Sequence, residues 1–213
     1  MRLLLFAIVL AVSLGYATGG RLKRLETLKL RWWVLALLGL LLQIPPPGSL
    51  SRNTGLETAL LWVSFACLIS FAFRNLQLRG FVVIIAGLVC NFAVIAANNG
   101  MPVSAAAVKA SGQGSLLVEL QKGHAAKHHL QKEGDVLVPL ADEIPIGWPI
   151  NQVVSLGDIL VYTGMIWVIA SVMRKGLRVP GPARRRGGFR VPRLRSPLSD
   201  RPESRPSGTG PQS

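Results

Sequence analysis

Five apolar runs that contain no lysine or arginine alternate with polar segments along the chain. A helix rises about 1.5 Å per residue, so three of the runs are long enough to cross a hydrocarbon core about 30 Å thick. The first two runs are shorter, and the second reaches the required length if its helix begins near residue 27. The pattern predicts five transmembrane helices, at about 2–18, 27–44, 56–73, 79–98 and 153–173.

The positions of the basic residues predict how this bundle is oriented. Of the 24 lysines and arginines, five lie between the first and second runs, two lie between the third and fourth, and eleven follow the fifth. Lysine and arginine are enriched in cytoplasmic loops. We therefore expect a multi-pass protein of the plasma membrane with its N-terminus outside and its C-terminus in the cytoplasm. The mean hydropathy of +0.41 argues against an ordinary soluble domain.

The first apolar run has a second interpretation. Arg2, a short apolar stretch and the small residues near position 17 also resemble a cleaved secretory signal. Cleavage would place the basic cluster at 21–31 outside the cell, against the charge pattern. An uncleaved first helix is therefore favoured.

Residues 99–152 form the only long connection between apolar runs, and the charge pattern places it outside. Within it, 101–110 and 115–132 are expected to be short helices, and 136–150 an extended segment on the membrane surface, anchored by Trp148. Residues 176–213 are rich in Gly, Pro, Ser and Arg, which predicts a disordered basic cytoplasmic tail after a transmembrane domain at 1–175. The predicted fold is all-α, a polytopic membrane protein whose extracytoplasmic segment packs on the outer face.

A few polar side chains interrupt the apolar runs near their outer ends. Asp158 is an ionisable group inside the last run, where charge is costly, and Tyr162 follows one helical turn later. A helix cap is the alternative role for this carboxylate. Asn91 and Asn98 share one face of the fourth run, with Asn99 adjacent. These side chains are expected to converge with Asp158 in a small polar recess.

The three histidines lie close together in the long segment. On the predicted helix, His124 and His128 would share a face, as two metal ligands often do, and His129 follows. No cysteine accompanies them, so solvated histidines are favoured, and we predict no metal and no cofactor. The chain also lacks a phosphate-binding glycine loop, a zinc-protease motif and a nucleophile elbow, so no motif supports an enzyme.

The basic tail predicts a contact with the bilayer. Arg184, Arg185 and Arg186 follow the last helix on its cytoplasmic side, where they are expected to bind anionic lipid headgroups. The tail has no series of aromatic residues for stacking bases, so nucleic-acid binding is not predicted. A membrane protein partner or a second copy of the chain remains an open alternative.

Four short motifs resemble those of a bacterial multi-pass membrane protein family known as domain of unknown function 5317. They are Asn-Asn-Gly-Met-Pro-Val at 98–103, His-Leu at 129–130, Leu-Ala-Asp-Glu-Ile-Pro at 140–145 and Ser-Leu-Gly-Asp-Ile-Leu at 155–160. The resemblance covers about residues 3–173. It implies a small membrane protein whose signature residues gather around the outer segment and the last helix, with no established activity or cofactor. On this basis Met101, Pro102 and Asp142 join the predicted recess.

These observations favour a non-enzymatic membrane protein that binds a partner or a small solute at its outer face. A small transporter or channel component using Asp158 is the alternative. The inner halves of the five runs contain no acidic residue, histidine or asparagine, which argues against a polar path through one protomer. A membrane enzyme using His128 or His129 with Asp142 and Asp158 is a third alternative.

Overall fold

A computed structural model describes residues 2–44, 54–121 and 127–175, which are mostly helical. In these ranges the α-helices are α1 (Arg2–Ala17), α2 (Trp33–Leu41), α3 (Thr54–Arg74), α4 (Gly80–Asn98), α5 (Ala105–Ala110), α6 (Gly114–Gln121) and α7 (Leu156–Lys175). The strands are β1 (Met101–Val103), β2 (His128–Leu130), β3 (Ile144–Ile146) and β4 (Gln152–Val154), and two 3-10 helices cover Leu22–Thr27 and Val138–Leu140.

Three of the described helices are long and apolar enough to cross a membrane: Gly55–Arg74, Gly80–Asn98 and Leu156–Arg174. Only 22% to 33% of each apolar window is buried inside the protein, so most of its surface faces outward. The remaining two predicted spans are shorter, with 16 residues in α1 and nine in α2. At the helical rise, α2 extends about 14 Å, roughly half the hydrocarbon thickness.

The helix α2 begins at Trp33 rather than near residue 27, because the chain before it is held in another conformation. Trp32 has a left-handed backbone with φ of 56°. The side chain of Asn75 pairs with both backbone groups of Arg31: the Arg31 N–H donates to Oδ1 at 2.9 Å, and Nδ2 donates to the Arg31 carbonyl at 2.8 Å. A backbone bonded in this way does not continue a helical hydrogen-bond ladder.

The long helices pack side by side in the order α2, α3, α4, α7, α1. The tightest contact is between α4 and α7, where glycines allow the two backbones to approach. A Cβ atom added to Gly87 would lie 2.4 Å from the Gly157 carbonyl oxygen, and one added to Gly164 would lie 2.7 Å from that of Gly80. Close approach through small residues is how helices associate in a membrane, where lipid removes the usual hydrophobic advantage.

The contacts also define the direction of each helix. Gly87 faces Gly157 while Gly80 faces Gly164, so α4 and α7 are antiparallel. The last turns of α1 and α7 meet where Gly15 contacts Met173, so these two helices run in the same direction. Aromatic pairs show that α3 and α4 are antiparallel. The helices α2 and α3 are also antiparallel, because Ser64 bonds to Gly39 while Asn75, after α3, bonds to Arg31, before α2.

As a result, the connection between α4 and α7 lies at one end of the helices and the described basic clusters lie at the other. The basic end carries Arg21, Lys23, Arg24, Lys29, Arg31, Arg74, Arg79 and Arg174. There, the guanidinium of Arg24 donates to the carbonyl oxygens of Met173 and Arg174. A cation at these carbonyls is favourable because the C-terminal end of a helix carries partial negative charge.

We call residues 101–121 and 127–154 the cap segment. The two helices predicted at 101–110 and 115–132 are present in shorter form as α5 and α6. Residues 101–103 and 128–130 instead form the parallel pair β1 and β2, in which Met101 lies opposite His128. Asn99 and Gly100 have positive φ values of 54° and 153°, which end α4 and turn the chain into β1. The backbone of Asp142 bonds to the other edge of β1 through Pro102 and Ser104, and β3 and β4 form an antiparallel hairpin.

The cap segment has a small hydrophobic core of its own. Val103 and Val108 are 2% and 0% exposed, and they cluster with Ala107, Leu120 and Val153. This core connects β1, α5, α6 and β4. The segment therefore forms a folded layer rather than a loose loop, and it supplies a rigid surface for polar side chains.

Candidate functional site

The site is built around Asp142, a carboxyl group buried in the cap segment. Its side chain is 10% exposed, because the backbone of Asp142 is bonded along the buried strand β1. Oδ2 lies 3.7 Å from Nε2 of His128. Oδ1 is buried and has no hydrogen-bond partner among the described residues. Leaving such an atom unpaired is costly, so a hydrogen bond to this carboxyl group would be favourable.

Asp142 lines a recess of about 650 Å³ between the cap segment and the start of α1. The polar lining residues are Arg2, Gln113, Ser115, His128, Asp142, Asn151 and Gln152, and the apolar ones include Val103, Leu116, Ile150 and Val153. Gln113 is fixed in place because its Oε1 accepts the Val153 N–H at 3.2 Å. A recess of this volume with a few oriented polar groups is typical of a small-molecule site.

The protonation states of Asp142 and His128 in the recess differ from those of the same groups on an exposed surface. Burial, together with the negative charge of Asp158, raises the pKa of Asp142 to about 8. Burial of part of its ring and the positive charges of Lys127 and His129 lower the pKa of His128, although 45% of its side chain is exposed. At pH 7 the pair is therefore a neutral carboxylic acid beside a neutral imidazole rather than an ion pair.

A second polar cluster lies where α7 begins. Ser155 precedes the helix, and its Oγ accepts the Asp158 N–H at 2.9 Å and donates to Oδ1 of Asn91 at 2.8 Å. The Asn91 amide in turn donates to Asp158 Oδ1 at 2.7 Å. Ser-x-x-Asp is a capping-box spacing, so the cap role considered for Asp158 is present in the structure. The same bonds attach the start of α7 to α4.

A family model of proteins of unknown function, "Family of unknown function (DUF5317)", matches residues 27–170. This stretch covers more than half of the chain. The chain belongs to this family. No curated protein and no solved structure matches the chain. The match includes the whole cap segment, the Asn91–Ser155–Asp158 cluster and most of the recess of this DUF5317 member, whereas α1 and Arg2 lie before it.

Asn98 and Asn99, predicted to line the recess, lie elsewhere in this DUF5317 member. Asn98 pairs with Val136: Nδ2 donates to the Val136 carbonyl at 2.9 Å, and Oδ1 accepts its N–H at 2.8 Å. Nδ2 also donates to the Val94 carbonyl one turn earlier. This is the arrangement that Asn75 makes with Arg31 and Phe71. Asn99 is the exposed left-handed residue that ends α4.

Met101, Pro102 and Tyr162 were also predicted to line the recess, but they lie in the strand β1 and the helix α7 instead. Met101 and Pro102 are buried in β1, where their backbone groups bond to Lys127 and Asp142. Tyr162 is half-buried one turn after Asp158 on α7. Of the predicted recess residues, Asp142 alone lines the cavity, while Asn91 and Asp158 form the adjacent cluster.

The predicted helical pairing of His124 with His128 is wrong as far as His128 is concerned, because His128 lies in the strand β2. His124 lies outside the described residues, as do Arg184, Arg185 and Arg186 of the tail. Successive strand residues point in opposite directions, so His128 faces Asp142 while His129 Nε2 lies 3.1 Å from Asp135 Oδ1. Among the described residues, no group of three or more His, Cys, Asp or Glu side chains could hold a metal ion.

Several residues of the site were missing from the sequence-based prediction. Ser155 could have been recognised from the sequence, since it lies three residues before Asp158 in a capping box. Arg2, Gln113 and the adjacent pair Asn151 and Gln152 come from three separate places in the chain, and only the folding of the cap segment over α1 brings them together. No local pattern distinguishes them from ordinary polar loop residues.

Proposed function

We propose that this DUF5317 member is a non-enzymatic multi-pass membrane protein that binds a small polar solute in the recess of its cap segment. The observation that carries the proposal is the largely buried carboxyl group of Asp142 in the lining of a 650 Å³ recess, with its Oδ1 unpartnered among the described residues. In the proposed orientation the cap segment lies outside the cytoplasm, because the basic clusters lie at the opposite end of the helices. In this orientation α1 and α2 complete five membrane-embedded helices.

The chemistry of the lining supports binding rather than catalysis. A hydrolytic enzyme would need an activated nucleophile or a metal-bound water beside a general base. The two cysteines of the chain lie in α3 and α4, away from the recess. His128 Nε2 and Asp142 Oδ2 lie 3.7 Å apart, so no hydrogen bond between them orients the imidazole in this structure. Solute binding requires only the hydrogen-bonding groups and the space that are present.

The transporter alternative receives less support from the surroundings of Asp158. Its carboxylate already accepts hydrogen bonds from Asn91 and from the Ser155 backbone, and these bonds secure the first turn of α7. A transported ion would have to displace the helix cap. Asp158 therefore serves to hold the first turn of α7 in position beside the recess.

Native mass spectrometry of the full-length protein, purified from its own membranes in mild detergent, tests the proposal. We expect a bound small molecule on the wild-type protein, its loss in Asp142→Asn, and its retention in Glu143→Gln. The second variant neutralises the neighbouring carboxylate, which does not line the recess. A wild-type protein that carries no adduct, and whose melting temperature no solute in a panel of cations, anions and neutral polar molecules raises, would contradict the proposal.

A further inference from the structure

The ligand that suits the recess is defined first by the missing partner of Asp142. Oδ1 is buried without a hydrogen-bond partner among the described residues, while Oδ2 has only the long contact with His128. In its ionised form the carboxyl group only accepts hydrogen bonds, so the group that satisfies it is a donor. A second requirement comes from the charges around it.

When Asp142 is ionised, its carboxylate has no positively charged partner within 4 Å among the described residues. The charged and titratable groups that face it are His128 on β2, Asp158 on α7 and, across the recess, Arg2 on α1. His128 is neutral at pH 7, and Asp158 has the same sign as Asp142. Among the described residues Arg2 makes no ion pair with it within 4 Å, although both line the recess. The ionised form of Asp142, a buried negative charge, is therefore favoured when a cation binds beside it.

We infer that the recess binds a primary ammonium group, which donates hydrogen bonds to Asp142 and supplies its missing positive partner. This inference rests on the proposed solute binding and specifies its chemistry. The same chemistry is offered by a free amine and by the ethanolamine headgroup of a lipid. Both can reach the recess because its lining includes Arg2 at the start of α1 and the segment directly before α7, at the end of the helices.

Binding of an ammonium group competes with the proton on Asp142. Since the pKa of Asp142 is about 8, roughly 3% of the free protein is ionised at pH 6.5 and about three quarters at pH 8.5. The apparent affinity for an ammonium ligand should therefore be about 25-fold higher at pH 8.5 than at pH 6.5. A neutral hydrogen-bond donor would not gain affinity over this interval.

Isothermal titration of the full-length protein with ethanolamine and choline tests the inference. Choline keeps the positive charge but has no N–H donor, so we expect it to bind at least about tenfold more weakly than ethanolamine. Ethanolamine binding should increase with pH as stated and disappear in Asp142→Asn, whereas Glu143→Gln should bind as the wild type does. The pH dependence of the wild-type protein needs no variant, so the test remains decisive if Asp142→Asn folds poorly.

Nanodiscs distinguish the two sources of the ammonium group. Retention of phosphatidylethanolamine over phosphatidylcholine in native mass spectra supports a lipid headgroup, and ethanolamine binding in phosphatidylcholine nanodiscs supports a free amine. Ethanolamine affinity that is independent of pH or unchanged in Asp142→Asn would overturn the inference. If only neutral or anionic solutes bind and Asp142→Asn abolishes that binding, the ammonium inference fails while solute binding stands. Failure of every solute to bind refutes both.

Discussion

At Asp142, the cost of burying a carboxyl group should make the stability of the protein depend on pH. The pKa of this group is about 8 in the folded protein, against an ordinary value of 3.8. Between these values the folded state holds a proton that the unfolded state releases, so stability falls as pH rises. The contribution of protonated Asp142 to the free energy of unfolding is complete below about pH 4 and is lost as the pH rises to about 8. Asp142→Asn should flatten the fall in melting temperature between pH 5 and pH 8.

Glu143→Gln is the matched control for this pH series. It removes a neighbouring carboxylate whose side chain is not part of the buried recess, and it should keep the wild-type pH dependence. Melting temperatures in detergent, measured at one scan rate across the pH range, give the comparison. A slope in Asp142→Asn equal to that of the wild type would show that another group causes the pH dependence.

Single residues also show how far the sequence can predict the site. The polar residues near the ends of the apolar runs were recognisable because charge and amide groups are rare there, and Asn91 and Asp158 do meet. Sequence spacing could not show that Asn98 bonds to the backbone of Val136, since its partner is far along the chain. Arg2 could not be assigned to a recess with Asp142 for the same reason.

At the scale of the element, Ser155 determines how α7 begins and how it is attached to α4. Ser155→Ala removes the acceptor of the Asp158 N–H and leaves the buried Oδ1 of Asn91 without its donor. The loss of a cap together with an unpaired buried oxygen should cost about 2 kcal/mol in the free energy of unfolding. Unfolding by SDS in mixed micelles, followed by circular dichroism, measures this change.

Ser171→Ala is the control on the same helix. Its hydroxyl donates only to the Val168 carbonyl three residues earlier, so its removal should change the free energy of unfolding by less than about 0.5 kcal/mol. Equal destabilisation by the two variants would mean that the cluster at the start of α7 contributes nothing specific.

The packing of α4 against α7 depends on backbone contact at glycines, which a single methyl group should disrupt. In Gly87→Ala the added Cβ would lie 2.4 Å from the Gly157 carbonyl oxygen and 2.8 Å from the Val161 nitrogen. Both are backbone atoms, so the helices must move apart, at a cost of about 1 to 3 kcal/mol. The same SDS titration should show no comparable loss for Gly147→Ala, whose Cβ would have nothing within 4 Å. Wild-type stability of Gly87→Ala would exclude this close packing.

The elements that the sequence predicts well are those whose signal is contained within them. A continuous apolar stretch is sufficient for α3, α4 and α7, because helix length and hydropathy need no partner. The strands β1 and β2 have three residues each. They exist because they pair with each other, and because β1 also pairs with Asp142 on its other edge. The late start of α2 likewise depends on Asn75, a residue beyond the following helix. Such elements are determined by tertiary contacts rather than by local propensity.

At the scale of the whole molecule, the arrangement of charge supports the proposed orientation. The helix directions place the described basic clusters at one end of the row and the cap segment at the other, as the alternation of charges along the sequence requires. Arg74 also lies 5.4 Å from the Trp32 ring, which combines a cation and an interfacial aromatic residue at the basic end. A protein oriented by these groups should expose its recess outside the cytoplasm.

Cysteine labelling tests this orientation directly. In a background with Cys67 and Cys90 replaced by alanine, Glu133→Cys places a thiol on the exposed cap segment and Lys23→Cys places one at the basic end. Translocation of the basic end would oppose the positive-inside preference, so a membrane-impermeant maleimide should label position 133 in intact spheroplasts. Position 23 should react only after the membrane is permeabilised, and the cysteine-free background should not react at all. Labelling of position 23 alone in intact spheroplasts would reverse the topology, and the solute would then reach the recess from the cytoplasm.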